Sequence, residues 1–313
     1  MIGGILLAAA AILIWGVTFV NTKALLVDFS ALEIQVLRFT VAYLALWLIH
    51  PRRGGFKAAD EWSFIGMGLS GVAVYQLREN CAIHFTNASN VAILVAVCPV
   101  ATALLTRLFG GENRLSPLFF VGFLVAITGV VLVSMNGIRT FHFSPVGDLM
   151  AVGAMLSWSV YSVLIARVNA KGYSAVAVMR RSFFWALVAM VPLFLFGLTE
   201  TGRTVMKGSF AVTTGWAVNR ARFTAGLNLL NLGFLGILAS AVCFVIWNVA
   251  CHRVGVVRCS IGLYLIPVVT VLFAYLFLGE VLTPQSAFGA VLTLVGVVVS
   301  GWRGRRSRQP ASV

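Results

Sequence analysis

The residues best equipped to do chemistry sit where charge is costly. Tyr75, Arg78, Glu79 and Ala82 fall at i, i+3, i+4 and i+7, one face of a helix, inside a run otherwise apolar enough to cross a bilayer. A charge at bilayer depth costs on the order of 2.5–3.5 kcal/mol by insertion scales, so these two need a reason. In one reading, Arg78 is a counter-ion for a solute carboxylate and Glu79 an ammonium partner or proton carrier. In the other, the two neutralise one another or lie near enough to the outer interface to be wet. Adjacent helical residues point about 100° apart, which weakens the simple mutual pair.

Aromatic and amide groups recur at matching places. Trp15 and Thr18 share a face of the first apolar run, and Trp158 and Tyr161 share the matching face of the sixth. Trp247 and Asn248 stand one repeat after Glu79 and Asn80, and Tyr264 comes about one turn before Pro267. Indole walls with a few amide and hydroxyl groups suit an amphipathic organic solute. Each ring alone fits an interfacial belt or helix packing equally well, but Trp15 and Trp158 are placed symmetrically by the repeat. Pro99 and Pro267 each remove a backbone hydrogen bond, freeing carbonyls for a cavity or hinge, or only kinking a helix for packing.

Other chemistry finds little support. The five cysteines (Cys81, Cys98, Cys243, Cys251, Cys259) show no CxxC spacing and read as free core thiols. No metal site or cofactor is expected. His84 and His252 read as interfacial hydrogen-bonding groups, with a proton relay the alternative. Glu112 and Glu280 read as loop-fixing residues, and Arg38 and Arg181 as structural arginines that snorkel or meet a helix end. Gly66, Gly68 and Gly71 allow close helix approach. No Walker-type G-x-x-x-x-G-K-[ST] stretch is present, so this chain does not use ATP directly.

The elements that must position these residues are membrane spans. Of 313 residues, 60% are hydrophobic and 10% charged, against about 25% charged in soluble domains. Ten spans are expected near Ile2–Val20, Ala31–Ile49, Ser63–Ile83, Ser89–Phe109, Pro117–Met135, Val146–Ala166, Ser174–Gly197, Leu229–Ala250, Val257–Leu278 and Pro284–Trp302. Ser116-Pro117 and Thr283-Pro284 mark two starts, a hydroxyl N-cap before a proline at the first helical position. Met1–Val20 lacks a basic n-region and is long enough to span, so no cleavable signal peptide is expected.

The chain writes its organisation twice. At a shift of 168, Asn80–Glu112 meets Asn248–Glu280 with 12 identities in 33 pairs, including Asn, His, Pro and the Gly-Glu end. Trp15, Gly4 and Arg38 meet Trp158, Gly147 and Arg181 at a shift of 143, so 25 extra residues fall within Leu198–Asn228. That polar stretch reads as a surface helix or loop. The units are thus residues 1–137, residues 144–303 with the insertion 198–228, and a basic tail 304–313. Five spans per copy is odd, so the two copies insert with opposite orientation. With both termini cytoplasmic, thirteen Lys and Arg face inside and six outside, four of those in the insertion. The net charge of +14 therefore reads as orientation and headgroup contact, with membrane lipids rather than nucleic acid as partner.

Trp15-Gly16, Lys23, Arg38, Pro99, Gly111-Glu112, Gly122 and Gly129 repeat as Trp158-Ser159, Arg181, Pro267, Gly279-Glu280, Gly289 and Gly296. In order and duplication this resembles the drug/metabolite transporter superfamily, in particular its EamA-type members. The resemblance covers nearly the whole chain except Leu198–Asn228. It implies a prokaryotic inner-membrane carrier, often an exporter of amino acids or other metabolites, with its site among spans 1, 3, 4, 6, 8 and 9. Arg78 and Glu79 depart from it, since members usually have apolar or aromatic residues there. The expectation is an all-α membrane protein of ten helices in two inverted repeats, moving a small organic solute by alternating access. A membrane enzyme on lipid-linked substrates and a channel are the alternatives; substrate, coupling ion and oligomeric state stay open.

Overall fold

The computed structural model describes residues 2–51, 55–85, 88–109, 116–135, 144–199, 201, 221–278 and 281–301. Gly111-Glu112, Gly279-Glu280, most of the 198–228 insertion and the basic tail lie outside them, as do the side chains of Lys23, Asn80, Cys81 and His84. Every regular element among the described residues is helical. In chain order these are α1 (Ile2–Leu25), α2 (Ala31–Ile49), α3 (Glu61–Gly68), α4 (Tyr75–Phe85), α5 (Ala88–Val95), α6 (Cys98–Leu108), α7 (Pro117–Ser134) and α8 (Pro145–Asn169). There follow α9 (Ala175–Leu198), α10 (Ala221–Thr224), α11 (Gly226–Gly233), α12 (Cys243–Val254), α13 (Val256–Gly262), α14 (Leu265–Leu278) and α15 (Pro284–Gly301).

Among the described residues, eight stretches are long and apolar enough to cross a membrane, and a shorter apolar one covers Ile2–Thr18. The third expected span is helical from Glu61 to Phe85 but carries Glu61, Arg78 and Glu79, and it is not among the eight. Its helix changes gauge midway. A π-helical stretch, Leu69–Val74, joins α3 to α4, and another, Phe234–Val242, joins α11 to α12. Both end at residues 168 apart.

The prolines act where expected, but the break precedes them. Ala96 and Val97 form a turn before α6, and Leu263 and Tyr264 form one before α14. Pro99 and Pro267 then sit in the first turn of the resumed helix. A proline cannot donate to the carbonyl four residues back and crowds it, so the ladder fails at those turns. The hydroxyl caps are present. Ser116 Oγ accepts from Phe119 N (3.2 Å) and Thr283 Oγ1 from Ser286 N (3.2 Å). Ser144-Pro145 opens α8 the same way, with Gly147 N on Ser144 Oγ at 3.4 Å.

The first half of the chain packs on the second throughout. Helix α1 lies on α12 and α14, α2 on the Phe234–Val242 stretch and α9, and α8 against α4, α5 and α6. Helices α7 and α15 pair most closely, through Gly122, Gly129, Gly289 and Gly296, as small residues allow. Leu44, Leu124, Leu149 and Val298 face outward, as a surface bathed in lipid requires. A β-carbon at Gly296 would collide with the Ala126 backbone, whereas nothing lies within 4 Å of one at Gly226. Gly296→Val is expected to cost about 1–3 kcal/mol through overpacking, and Gly226→Ala almost nothing, in thermal unfolding of the detergent-purified protein.

Candidate functional site

Helices from both halves of the chain converge on one indole. Trp158 of α8 meets Trp15 of α1 at 5.7 Å between ring centroids, edge to face, and Tyr75 at the head of α4 at 5.2 Å. Tyr161, one turn on, is at 5.1 Å and Trp247 of α12 at 6.5 Å. Trp15 also touches Trp247 (5.2 Å) and Phe244 (5.6 Å). Tilted and T-shaped contacts suit ring quadrupoles, each adding about 0.5–1.5 kcal/mol beyond area burial. Gly71 permits this closeness, since a β-carbon there would strike the Tyr161 ring. Sequence reasoning missed Phe244, although it lies three residues before Trp247 and so shares its face.

Polar atoms of the chamber divide into satisfied and unsatisfied. Trp15 Nε1 donates to Ala239 O (3.0 Å) in the π-helical stretch, Thr18 Oγ1 to Trp15 O (2.6 Å), and Tyr161 Oη to Met179 Sδ (3.6 Å). The Trp158 indole N–H is buried with no acceptor among the described residues. Leaving such a donor unmade costs about 1–3 kcal/mol. It is therefore the chamber's open valence.

The charged residues of the third span part company. Tyr75 Oη donates to Glu79 Oε1 at 3.0 Å, and Glu79 lies within electrostatic reach of Arg38 on α2. Arg38 Nε donates to Ser240 Oγ (2.9 Å) in the second half of the chain. Arg38 is thus structural, as expected, but through a tie from α2 to the second half instead of snorkelling or capping a helix. Arg78 points elsewhere: its NH1 donates to Gly153 O (3.0 Å) and Ser157 Oγ (3.2 Å) on α8, and its side chain is exposed at the bundle surface.

The remaining site candidates also separate. Asn248 shares a turn with Trp247 but faces a cavity of about 190 Å³ walled by Asn169, Tyr173, His252 and their neighbours. Among the described residues both of its carboxamide atoms lack partners, while its backbone oxygen accepts from Asn169 Nδ2 (3.3 Å). Tyr264, fully buried at the α13–α14 break, packs near Phe123 (6.4 Å), and its hydroxyl has no partner among the described residues. Cys98, Cys243, Cys251 and Cys259 are buried free thiols.

Two polar clusters, at opposite ends of α2, tie the halves together. Near its C-terminus, Asp60 pairs with Lys171 and accepts from Tyr173 Oη (2.6 Å), and Glu61 accepts from Arg181 Nε (2.7 Å) and from Trp185. Arg180 reaches the His50 carbonyl and lies 3.9 Å over the Trp47 ring. At the N-terminus, Arg222 donates to Glu33 Oε1 (3.1 Å) and Asp28 O (2.9 Å), and Asn228 Nδ2 to Asp28 Oδ2 (2.7 Å). Glu33 also closes a capping box with Ser30. Apart from that capping box, none of these partnerships is visible in sequence, because the partners lie more than 100 residues apart.

Many apolar helices packed around a buried aromatic cluster define an integral multi-pass membrane protein. A model of the EamA-like transporter family matches residues 2–135 and 145–302, and the chain belongs to that family. It is a transporter and not an enzyme. An uncharacterized transporter of Archaeoglobus fulgidus is 26% identical over 300 residues, covering 94% of this chain and 96% of the relative. A probable terminal-alkyne amino-acid exporter of Streptantibioticus cattleyicolor is 26% identical (95% of this chain, 93% of the relative), and a probable amino-acid metabolite efflux pump of Escherichia coli (strain K12) 26% (96% and 96%). A solved crystal structure, 22% identical, shares the fold with a TM-score of 0.73 over 95% of this chain and 96% of that one.

Hydrogen bonds from Lys171 and Tyr173 hold the Asp60 carboxyl below the ordinary aspartate range. A lowered folded value means stability present above the unfolded pKa of about 3.9 and lost as pH falls through the folded one. The melting temperature of wild type should exceed that of Asp60→Asn by a constant margin from neutral pH down to about pH 5, and the margin should shrink below about pH 4.

Proposed function

We propose that this transporter is a secondary carrier that exports small amphipathic organic metabolites, amino acids or close relatives of them, by alternating access. The Trp158 N–H at the junction of the two halves, unpartnered among the described residues, carries the reading, because it offers a buried donor that a bound solute would satisfy. Trp15, Trp158, Tyr161, Trp247 and Phe244 would hold the apolar part of the solute, and Tyr75 with Glu79 an ammonium or other donor. Thr18, Asn248 and Tyr264 are the further polar positions along the path. Names of two relatives, an amino-acid exporter and an amino-acid metabolite efflux pump, support this class of solute.

The halves, residues 1–137 and 144–303, are read as inverted repeats. Two separate family-model matches, π-helical stretches ending 168 residues apart, and proline-linked breaks at equivalent places support that reading. The two polar clusters would then open in turn, with the breaks before Pro99 and Pro267 as hinges. The Lys and Arg distribution favours both termini in the cytoplasm and the prokaryotic inner membrane as the location. Coupling to protons would fall to Glu79.

Counterflow of amino acids in proteoliposomes tests the proposal. Saturable counterflow is expected for a carrier and not for a channel. Trp158→Phe should weaken apparent affinity about two- to tenfold, the loss of one hydrogen bond of roughly 0.5–1.5 kcal/mol, and Trp158→Ala more. Glu79→Gln should flatten the dependence of uptake on pH; an unaltered pH profile removes the proton role.

A further inference from the structure

Of the adjacent charges Arg78 and Glu79, Arg78 is the one turned away from the ring cluster. Its neighbours on α8, Gly153 and Ser157, supply neutral acceptors only. No described carboxylate pairs with it, and Glu79, next in sequence, is bonded to Tyr75 on another face. Gly153 makes the slot, since a β-carbon there would press on the guanidinium at 3.0 Å. A cation is therefore held, with no carboxylate partner among the described residues, on the outer surface of the bundle.

Below it runs a groove of about 350 Å³ between the third span and α8. Gly66, Ser70, Val74 and Arg78 line one wall at four-residue intervals, and Leu156 and Val160 the other. The serine hydroxyls are already spent on their own helices, Ser70 on Gly66 O (2.6 Å) and Ser157 on Gly153 O (2.7 Å). What remains is an apolar floor with one cation at its end nearest Phe85, where the span stops. From Gly66 to Arg78 is about 18 Å at 1.5 Å per residue, close to one leaflet of a hydrocarbon core of about 30 Å. A cation near the helix end with an apolar track leading inward matches a lipid in shape and charge.

We propose that an anionic phospholipid binds here, its phosphodiester on the Arg78 guanidinium and one acyl chain along the groove. Arginine meets phosphate oxygens in parallel bonds, and an unpaired guanidinium favours a headgroup of net negative charge over a zwitterionic one. The bound lipid would neutralise the charge that the protein leaves open. It would also wedge the third span against α8, the two helices that place Tyr75 and Trp158.

Native mass spectrometry of the purified full chain, taken from mixed micelles of phosphatidylglycerol and phosphatidylcholine, tests this. Wild type should retain phosphatidylglycerol over phosphatidylcholine by about fivefold, the ~1 kcal/mol of one basic contact at 1.4 kcal/mol per tenfold. Arg78→Gln and Val160→Trp should each abolish the preference, whereas Arg107→Gln should keep it. Val160→Trp fills the groove with Arg78 in place, so it carries the test if Arg78→Gln does not fold. Equal retention of both lipids by wild type, or an undiminished preference in either folded variant, overturns the proposal.

Discussion

In a bundle surrounded by lipid, a carboxylate can persist only where protein groups replace water. Glu79 meets that condition through the Tyr75 hydroxyl and the nearby Arg38, and Arg38 in turn is tied to Ser240. This chain of partners runs from α4 through α2 to the π-helical stretch of the second half. The same contacts that shelter the charge therefore join the two halves beside the aromatic chamber. Removing the Tyr75 hydroxyl or Arg38 takes a partner from that carboxylate and a tie from the bundle together, so carboxylate and scaffold are coupled here.

The irregular helix segments follow from the same constraint. A π-helical stretch or a proline break at membrane depth is tolerated where its backbone is buried in protein. The Phe234–Val242 stretch is so buried, and it turns the Ala239 carbonyl to Trp15 and the Ser240 hydroxyl to Arg38. The Leu69–Val74 stretch offers the Val72 carbonyl to Gln35 Nε2 (3.3 Å) and seats Tyr161 at Gly71. Irregular backbone thus supplies acceptors and close approach where regular helices offer neither.

Much of this was legible in the chain because it depends on local chemistry. Proline placement announces the breaks, serine or threonine before proline announces helix starts, and i, i+4 spacing pairs Tyr75 with Glu79. Symmetry under the repeat singled out Trp15 and Trp158, which do meet. What escaped depends on rotation about a helix axis and on partners far away in sequence. Arg78 and Glu79 share a helix turn, yet one faces lipid and the other the chamber. Trp247 and Asn248 divide in the same way, between the ring cluster and the polar cavity. The ties of Arg222 to Glu33 and Lys171 to Asp60 need the folded bundle before they can be named.

The chemistry of the two end clusters suits the alternating access proposed above. Arg222 and Glu33 are almost fully buried, at 2% and 0% side-chain exposure, whereas Lys171 is 41% exposed. Burying an ion pair carries a desolvation cost that largely offsets the attraction, so the closed pair is worth little net. When such a cluster opens to water both ions recover hydration, and the two arrangements stay close in free energy. An apolar interlock of the same area would favour closure at about 25 cal/mol per Å² and would resist opening. In the proposed cycle, ring packing around Trp158 would hold the halves at the centre, while ionic contacts at the ends would leave either cluster free to part.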